Sequence, residues 1–348
     1  MAAATVPYAG PVPLDAKVAF LRQSQNYPEP TTRVEAVETH MSWVFLTDLH
    51  AYKLKKPVCH DELDARTTQQ RRFYCEEELR LNRRLAARIY LAVLPLTLDP
   101  QGHLQLDRAG EAVDWLVQMQ RLPAALMLDH ALVAGAASAE SVLPVMDLLA
   151  AFYRACTPVD ITPAAYRRRL GAAIAENRIC LGAPAYQLQS GMLDSIFTQL
   201  QSFLQAQSPM LDERVRGGHI VEGHGDLRAE HVYLGPPPAV IDCLEFSRTL
   251  RTADSADEVC FLALECERLG NAALGDALLQ RYAALSGQTP PAALTCFYRA
   301  LRATTRATLS IRHLDEEKFR YSPEWRRRAG DYLALAERHA GMAVSGPQ

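Results

Sequence analysis

The segment HGDLRAEH at residues 224–231, followed by AVID at residues 239–242, decides the fold of this chain. Asp226 lies in a polar stretch, and Asp242 follows three apolar residues that are typical of a short strand. The two acids are therefore separated by a short predicted hairpin. Phosphoryl transfer uses one carboxylate to orient the attacking hydroxyl and another to hold Mg²⁺ on the phosphates. The order and spacing of these two aspartates fit that chemistry.

Upstream of this segment, the pattern of apolar residues predicts a small antiparallel sheet interrupted by one long helix. The predicted elements are a short helix at 14–24, strands at 34–37, 43–46 and 51–55, a helix at 67–85, and strands at 89–97 and 112–119. Beyond residue 123 the pattern is mostly helical. We therefore predict an α+β chain with two lobes, residues 1–121 and 122–348.

The composition excludes several classes of protein. A formal net charge of -3 over 348 residues provides no basic field for nucleic acid. Neither a secretory signal nor an uncharged apolar run of about 18 residues occurs, so no membrane segment is predicted. Eight cysteines without C-x-x-C spacing indicate free thiols and a cytoplasmic location. The basic run at residues 326–328 is interpreted as a solvated helix face. The sequence does not identify any protein partner.

Taken in order, these motifs resemble the aminoglycoside phosphotransferase family of the protein-kinase-like superfamily. The resemblance covers roughly residues 33–315 and is closest to a bacterial branch that is often fused to a P-loop ATPase. The further phrases that support it are AYKLKKP (51–57), EELRLNRRL (77–85), IDCLEF (241–246) and ADE (256–258). No G-x-x-x-x-G-K-[ST] motif occurs, so a second ATPase activity is not predicted. The resemblance implies a bilobal protein-kinase-like fold, with a sheet-and-helix N-lobe and a mainly helical C-lobe.

The resemblance also implies roles for individual residues. Lys53 would pair with the nucleotide phosphates, and Glu78 on the long helix would hold this lysine, with Glu77 as a close rival. Asp226 would be the catalytic aspartate, and His224 would brace its loop.

Further implied roles concern the nucleotide and the metal. Asp242 would bind Mg²⁺, and Met119 would belong to the hinge that meets the adenine of ATP. Two positions depart from the family pattern. His231 replaces the asparagine expected to bind a second metal, and it is the candidate to hold Mg²⁺ together with Asp242. The nucleotide-covering turn at 39–42 lacks glycine, so Ser42 and backbone amides would have to contact the phosphates.

Acids that follow the metal-binding aspartate have two interpretations. Relatives place substrate-facing acids in this region, so Asp254, Glu265 and Glu267 could bind a cationic or polyhydroxy substrate. A hydrated helix surface explains them equally well. Asp257 is expected to cap the helix that begins near Glu258 and to brace the catalytic loop.

The sequence thus predicts an ATP- and Mg²⁺-dependent phosphotransferase that acts on a hydroxyl of a small molecule. Two alternatives stay open. A nucleotide-binding pseudokinase with a regulatory role is favoured by the glycine-free turn and by His231. A metal-dependent hydrolase would use the side chains of His219, His224, His231 and Asp242.

Overall fold

The chain divides into two units, which a computed structural model describes for residues 11–60 and 63–345. The first unit holds the chain up to Leu126 together with Ala239–Thr249, and the second holds Met127–Pro238 and the chain from Leu250 onward. A large antiparallel sheet lies in the first unit, and helices dominate the second. The correspondence of these units with the predicted lobes at 1–121 and 122–348 stays a prediction.

The described residues form short strands and longer helices. The strands are β1 (Glu35–Glu38), β2 (Ser42–Leu46), β3 (His50–Lys55), β4 (Cys59–His60), β5 (Leu63–Asp64), β6 (Tyr90–Leu98), β7 (Leu104–Leu106), β8 (Glu111–Gln120), β9 (Ile220–Glu222), β10 (Val232–Tyr233), β11 (Ala239–Val240) and β12 (Thr252–Asp254). The helices are α1 (Leu14–Leu21), α2 (Thr68–Ala86), α3 (Leu128–Val133), α4 (Ala139–Ala155), α5 (Pro163–Leu181), α6 (Ser190–Ala206), α7 (Ser208–Arg216), α8 (Arg248–Arg251), α9 (Ser255–Arg268), α10 (Ala272–Ser286), α11 (Ala292–Arg312) and α12 (Pro323–Ser345). None of the helices in the described ranges combines the length and the apolarity that a membrane span requires.

The sheet of the first unit has six strands in the order β1-β2-β3-β8-β6-β7. Tyr52 and Leu54 on β3 are buried in an apolar core on one face of this sheet. Because side chains alternate along a strand, Lys53 and Lys55 project from the opposite face. The sequence pattern that predicts β3 therefore also places these two lysines side by side.

Most predicted elements of the first unit are confirmed to within a few residues, but the sheet differs in two respects. A sixth strand, β7, was not predicted, and β8 lies between β3 and β6. The three residues of β7 obtain their backbone hydrogen bonds from the sheet edge at β6, which no local pattern reveals.

Helix α2 begins with a capping box. The Thr67 hydroxyl accepts a hydrogen bond from the backbone N–H of Gln70, whose side chain accepts one from the backbone N–H of Thr67. Because the first residue of a helix sets the rotation of the residues that follow, this capping box helps to determine which side chains of α2 are buried. Cys75, Glu78 and Leu81 are buried on the inner face of α2.

In the second unit, the pairing of β9 with β12 brings the loop that follows β9 close to the start of α9. Helix α9 starts at Ser255, and the Asp254 carboxylate caps it by accepting a hydrogen bond from the backbone N–H of Ala256 at 2.9 Å. The prediction that Asp257 caps this helix is therefore wrong. The helix starts before the predicted position, so Asp257 lies inside its first turn.

Candidate active site

The candidate residues form two groups, one in each unit. In the first unit, the Nζ atom of Lys53 on β3 lies 2.9 Å from Oε1 of Glu78 on α2. Glu78 is completely buried, whereas the neighbouring Glu77 is 23% exposed and forms an ion pair with Arg80. The structure thus identifies Glu78, and not its rival Glu77, as the glutamate that contacts Lys53.

Asp242 and a second lysine, Lys55, form further ion pairs with these two residues. The sequence analysis did not single out Lys55. The Nζ atom of Lys53 is 2.6 Å from Oδ1 of Asp242. The Nζ atom of Lys55 is 2.6 Å from Oε2 of Glu78 and 2.5 Å from Oε1 of Glu245. We call these five residues the lysine–carboxylate cluster. Its three carboxylates face two ammonium groups, so one negative charge is not compensated within the cluster.

Both partners of the central ion pair remain charged at neutral pH. Burial lowers the pKa of Lys53, but the nearby carboxylates of Asp242 and Glu78 outweigh it and raise that pKa well above its ordinary value. Burial likewise raises the pKa of Glu78, and the two lysines outweigh it so that the pKa falls below its ordinary value. Lys53 is therefore a fixed positive charge on the face of the sheet.

The backbone around Asp242 is held by two residues of the first unit. Its N–H donates to the Tyr90 hydroxyl at 3.0 Å, and the N–H of Cys243 donates to Oδ1 of Asn82 at 2.9 Å. Asp242 has a φ of 61°, which L-residues adopt rarely, so this conformation depends on those contacts. Its side chain is 45% exposed. An exposed carboxylate in a cluster with excess negative charge suits a hard cation such as Mg²⁺.

The two predicted nucleotide contacts differ in accessibility. Met119 is half-buried and pairs with Ala51, next to the pair of Lys53 with Val117, so its side chain shares the sheet face of Lys53. Ser42 is only 1% exposed, and its backbone N–H donates to the Thr39 hydroxyl. Contact between the Ser42 hydroxyl and a phosphate would require this turn to open.

In the second unit, arginine side chains surround Asp226. Nε of Arg228 donates to Oδ2 of Asp226 at 2.8 Å, and Nη1 of Arg306 lies 3.9 Å from Oδ1. Burial would raise the pKa of Asp226, but the guanidinium groups of Arg228 and Arg306 outweigh it and hold the pKa well below the ordinary value. Asp226 is therefore ionised at neutral pH and can accept a hydrogen bond from a hydroxyl group.

The loop that holds Asp226 is braced by Glu258, a role that the sequence suggested for Asp257. The Glu258 carboxylate accepts hydrogen bonds from the backbone N–H groups of His224 at 2.8 Å and Gly225 at 2.5 Å. Asp257 contributes indirectly, because it forms a two-point ion pair with Arg302, whose Nη1 donates to the backbone carbonyl of Gly225 at 3.4 Å. The buried His224 ring accepts a hydrogen bond at Nδ1 from the backbone N–H of Asp226 at 3.3 Å, and its role as a brace stays a prediction.

Gly223 provides a test of this brace. A Cβ atom at this position would lie 2.0 Å from Oε2 of Glu258, so Gly223→Ala must displace the carboxylate. We expect the variant to lose about 1–3 kcal/mol of stability, as other overpacked sites do, and to lose activity. Thermal unfolding and phosphate transfer measure the two effects.

Gly330→Ala is the matched control, because its added Cβ on α12 meets no atom within 4 Å. Replacing a glycine inside a helix should leave stability equal or raise it by up to about 1 kcal/mol. Equal behaviour of the two variants would argue against the tight contact between Gly223 and Glu258.

His231 has partners that do not suit metal binding. Its Nδ1 donates to the backbone carbonyl of Asp226 at 2.8 Å, and its Nε2 accepts from Nη2 of Arg228 at 3.3 Å. A metal at Nε2 would have to displace a guanidinium group, so metal binding by His231 stays a prediction without geometric support. Within the described ranges, no three His, Cys, Asp or Glu side chains form a group that could hold a metal ion.

The three acids considered for substrate binding are engaged in internal contacts. Asp254 forms a two-point ion pair with Arg214 at 2.7 Å for both contacts. Glu265 accepts a hydrogen bond from the Tyr332 hydroxyl, and Glu267 lies 2.7 Å from Nε2 of His339. All three carboxylates are at most 8% exposed. They form neither a substrate-facing surface nor the hydrated helix surface that was the alternative interpretation.

Sequence reasoning missed several residues of both groups. Lys55 could have been found, because residues two apart on a strand share a face and Lys53 was already a candidate. Arg228 could have been found from its position two residues after Asp226 in the same loop. Arg306, far away on α11, has no local signal that links it to Asp226.

Comparisons with known proteins confirm the fold. No protein-family model matches the chain. Uncharacterized proteins of Mycobacterium tuberculosis and Mycobacterium bovis are 34% identical over 318 residues, which is 89% of this chain but 60% of those relatives, so the chain spans about 60% of their length. The crystal structure of a choline/ethanolamine kinase family protein from Mesorhizobium loti matches this chain with a TM-score of 0.56 at 16% sequence identity. The match covers 95% of this chain and 99% of that protein. The crystal structure of aminoglycoside phosphotransferase APH(4)-Ia matches with a TM-score of 0.50 at 14% identity, over 91% of this chain and 95% of that protein. The predicted α+β protein-kinase-like fold is thus confirmed.

Proposed function

We propose that this chain is an ATP-dependent phosphotransferase that moves the γ-phosphoryl group to a hydroxyl of a small molecule. The observation that supports the proposal best is the contact of Lys53 with both Glu78 and Asp242. A lysine held by a helix glutamate and placed beside a metal-binding aspartate is the arrangement that protein kinases require. The solved structures that share this fold include proteins named as small-molecule kinases.

In the first unit, Lys53 would hold the nucleotide phosphates, and Asp242 would hold Mg²⁺. When bound, ATP supplies the phosphoryl group and Mg²⁺ neutralises charge on its phosphates. Magnesium commonly uses one or two protein carboxylates and completes its shell with phosphates and water. The exposed carboxylate of Asp242 is therefore a sufficient protein ligand. Glu78 would keep Lys53 in place, and Met119 would contact the adenine.

In the second unit, Asp226 would orient the acceptor hydroxyl and accept its proton. The low pKa of Asp226 makes this carboxylate a weak base, so orientation is its larger contribution. Arg228 fixes Oδ2 of Asp226, while Glu258 and His224 fix the backbone of the loop. These contacts hold the carboxylate before any substrate arrives, which is the condition for electrostatic preorganisation.

The test of this function is phosphate transfer by the purified chain with ATP, Mg²⁺ and a pooled library of hydroxyl compounds. We expect a product that gains one phosphate, and we expect chelation of Mg²⁺ to abolish its formation. Asp242→Asn should lower transfer at least about 10²-fold, because the metal loses its charged ligand.

Glu76→Gln is the control for this variant, because Glu76 is an exposed acid of the same unit and pairs with Arg72. It should transfer phosphate normally. Normal transfer by Asp242→Asn at low Mg²⁺ concentration would contradict the assignment of Asp242.

A nucleotide-binding pseudokinase is the second candidate function. Two observations favour it. Ser42 is buried in a glycine-free turn, and both ring nitrogens of His231 form hydrogen bonds, one with Asp226 and one with Arg228. This candidate predicts that the chain binds ATP, measured by calorimetry, but forms no phosphorylated product from any member of the library. Product formation that depends on Asp226 would exclude it.

We also propose that the chain belongs to the bacterial branch of aminoglycoside phosphotransferase-like proteins and acts in the cytoplasm. The motifs at 51–57, 77–85 and 241–246 support the branch. None of the eight cysteines, all within the described ranges, forms a disulfide, which agrees with a reducing compartment.

A further inference from the structure

Three arginine side chains in the second unit converge on two acids of the candidate catalytic loop. Arg228 contacts Oδ2 of Asp226 at 2.8 Å and Oε1 of Glu230 at 2.5 Å. Arg306 on α11 approaches Asp226 to 3.9 Å, and Arg328 on α12 approaches Glu230 to 3.7 Å. We call Arg228, Arg306 and Arg328 the arginine cluster. Its three positive charges exceed the two negative charges that it contacts.

Arg306 and Arg328 are poorly satisfied by the protein. Their distances to the nearest acids exceed hydrogen-bonding range. Their Nε atoms are buried and have no hydrogen-bond partner among the described residues. Each guanidinium lies over an aromatic ring, Arg306 over Tyr332 and Arg328 over Trp325, which does not satisfy in-plane N–H donors. By contrast, Arg302 forms a two-point ion pair with Asp257 in the same unit.

Both side chains nevertheless keep some exposed surface. The side chain of Arg306 is 13% exposed and that of Arg328 is 21% exposed. A planar guanidinium presents paired donors that match a carboxylate or phosphate, and such charge-assisted pairs are among the strongest hydrogen bonds in proteins. An acidic group of a bound molecule would satisfy donors that the protein leaves unpaired.

The three acids considered for binding a cationic acceptor are not available to it. The acids that could have attracted one, Asp254, Glu265 and Glu267, are buried in internal contacts. The charge around Asp226 therefore favours an anionic molecule over an amine.

We propose that Arg306 and Arg328 form an anion subsite for the acceptor, so that the acceptor is a hydroxyl compound bearing a carboxylate or phosphate group. This inference rests on the proposed phosphotransferase function. Because Arg306 approaches the same carboxylate that would orient the hydroxyl, the acidic group lies only a few bonds from the reacting hydroxyl. Arg328 binds the end of the acceptor that lies nearer Glu230.

The test compares four probes that share a six-carbon polyol chain and differ in charge. Glucitol is neutral, glucamine is cationic, gluconate carries a carboxylate and glucitol 6-phosphate carries a phosphate. Binding is measured by calorimetry on the full chain with Mg²⁺ and a non-hydrolysable ATP analogue in excess, so that the probes do not report on the nucleotide site. We expect at least one anionic probe to bind about tenfold more tightly than glucitol, and glucamine to bind most weakly. Preference for one anionic probe over the other identifies the acidic group.

Variants link this preference to the arginine cluster. Arg306→Gln and Arg328→Gln should each remove most of the anion preference, and Arg306→Lys should retain part of it because the charge remains. Arg327→Gln is the matched control, since Arg327 precedes Arg328 on α12 but is 71% exposed and pairs with Asp331. Thermal unfolding shows whether each variant is folded.

Any of three results with the probes would overturn the inference. The four probes could bind equally or not at all, the neutral or cationic probe could bind best, or the preference could persist in both glutamine variants. A rise in the dissociation constant of the ATP analogue in Arg306→Gln, with unchanged probe binding, would also overturn it by assigning the cluster to the nucleotide. Anion binding without any phosphate transfer would leave the subsite intact and contradict the proposed function.

Discussion

Asp226→Asn is expected to lower phosphate transfer at least about 10²-fold, the cost of removing one preorganised catalytic group. Asparagine keeps the shape of the side chain but loses the charge that orients and deprotonates the acceptor hydroxyl. Arg228 and Arg306 also lose their charged partner and can turn toward other acceptors. The measurement is kcat for product formation at saturating ATP.

The control for this variant is Asp331→Asn, which removes an exposed carboxylate of the same unit that pairs with Arg327. It should leave kcat unchanged. The affinity of Asp226→Asn for ATP, measured by calorimetry, should stay near that of the unmodified chain, because Lys53 and Asp242 belong to the other group. Near-normal turnover of Asp226→Asn would remove Asp226 from the mechanism.

Glu78→Gln is expected to have the largest effect on stability, a loss of about 3 kcal/mol. Glu78 is completely buried and is the one acid that contacts both Lys53 and Lys55 in the lysine–carboxylate cluster. Removing its charge leaves two mostly buried ammonium groups with Asp242 and Glu245 as the remaining carboxylates of the cluster. Lys53 should also become less well positioned, so KM for ATP should rise.

Chemical unfolding followed by tryptophan fluorescence measures this loss. Trp43 on β2 and Trp115 on β8 report on the first unit, and Trp325→Phe removes the signal of the second. Glu77→Gln is the matched control, since Glu77 neighbours Glu78 on α2, is partly exposed and pairs with Arg80. Its effect should stay within about 0.5 kcal/mol. Equal losses in the two variants would show that the lysine–carboxylate cluster does not hold the first unit together.

Local sequence signals were sufficient for most elements of the first unit. Alternating residues predicted β3, and the same alternation implied that Lys53 turns away from the core that buries Tyr52 and Leu54. The strand β7 escaped prediction because its three residues are held by pairing with β6 rather than by a pattern of their own. The position of β8 between β3 and β6 is likewise a matter of long-range pairing.

The sequence pattern predicted that the helices exist, but it did not determine their rotation or their first residue. The pattern predicted α2 but could not choose between Glu77 and Glu78, because adjacent residues differ by about 100° around a helix and small errors in rotation exchange them. The first turn of α9 was misjudged for a related reason. Its true cap, Asp254, is selected by the pairing of β12 with β9, which determines where the strand ends and the helix starts.

The sequence by itself determined the order of the motifs and the candidate residues Lys53, Asp226 and Asp242, because their signals lie within short segments whose spacing can be read directly. Only the tertiary structure decided which charges meet. Arg306 and Arg328 reach the loop of Asp226 from two different helices, and nothing in the intervening sequence records that approach. Electrostatic interactions depend on distances in space, and those distances are established only when the helices pack.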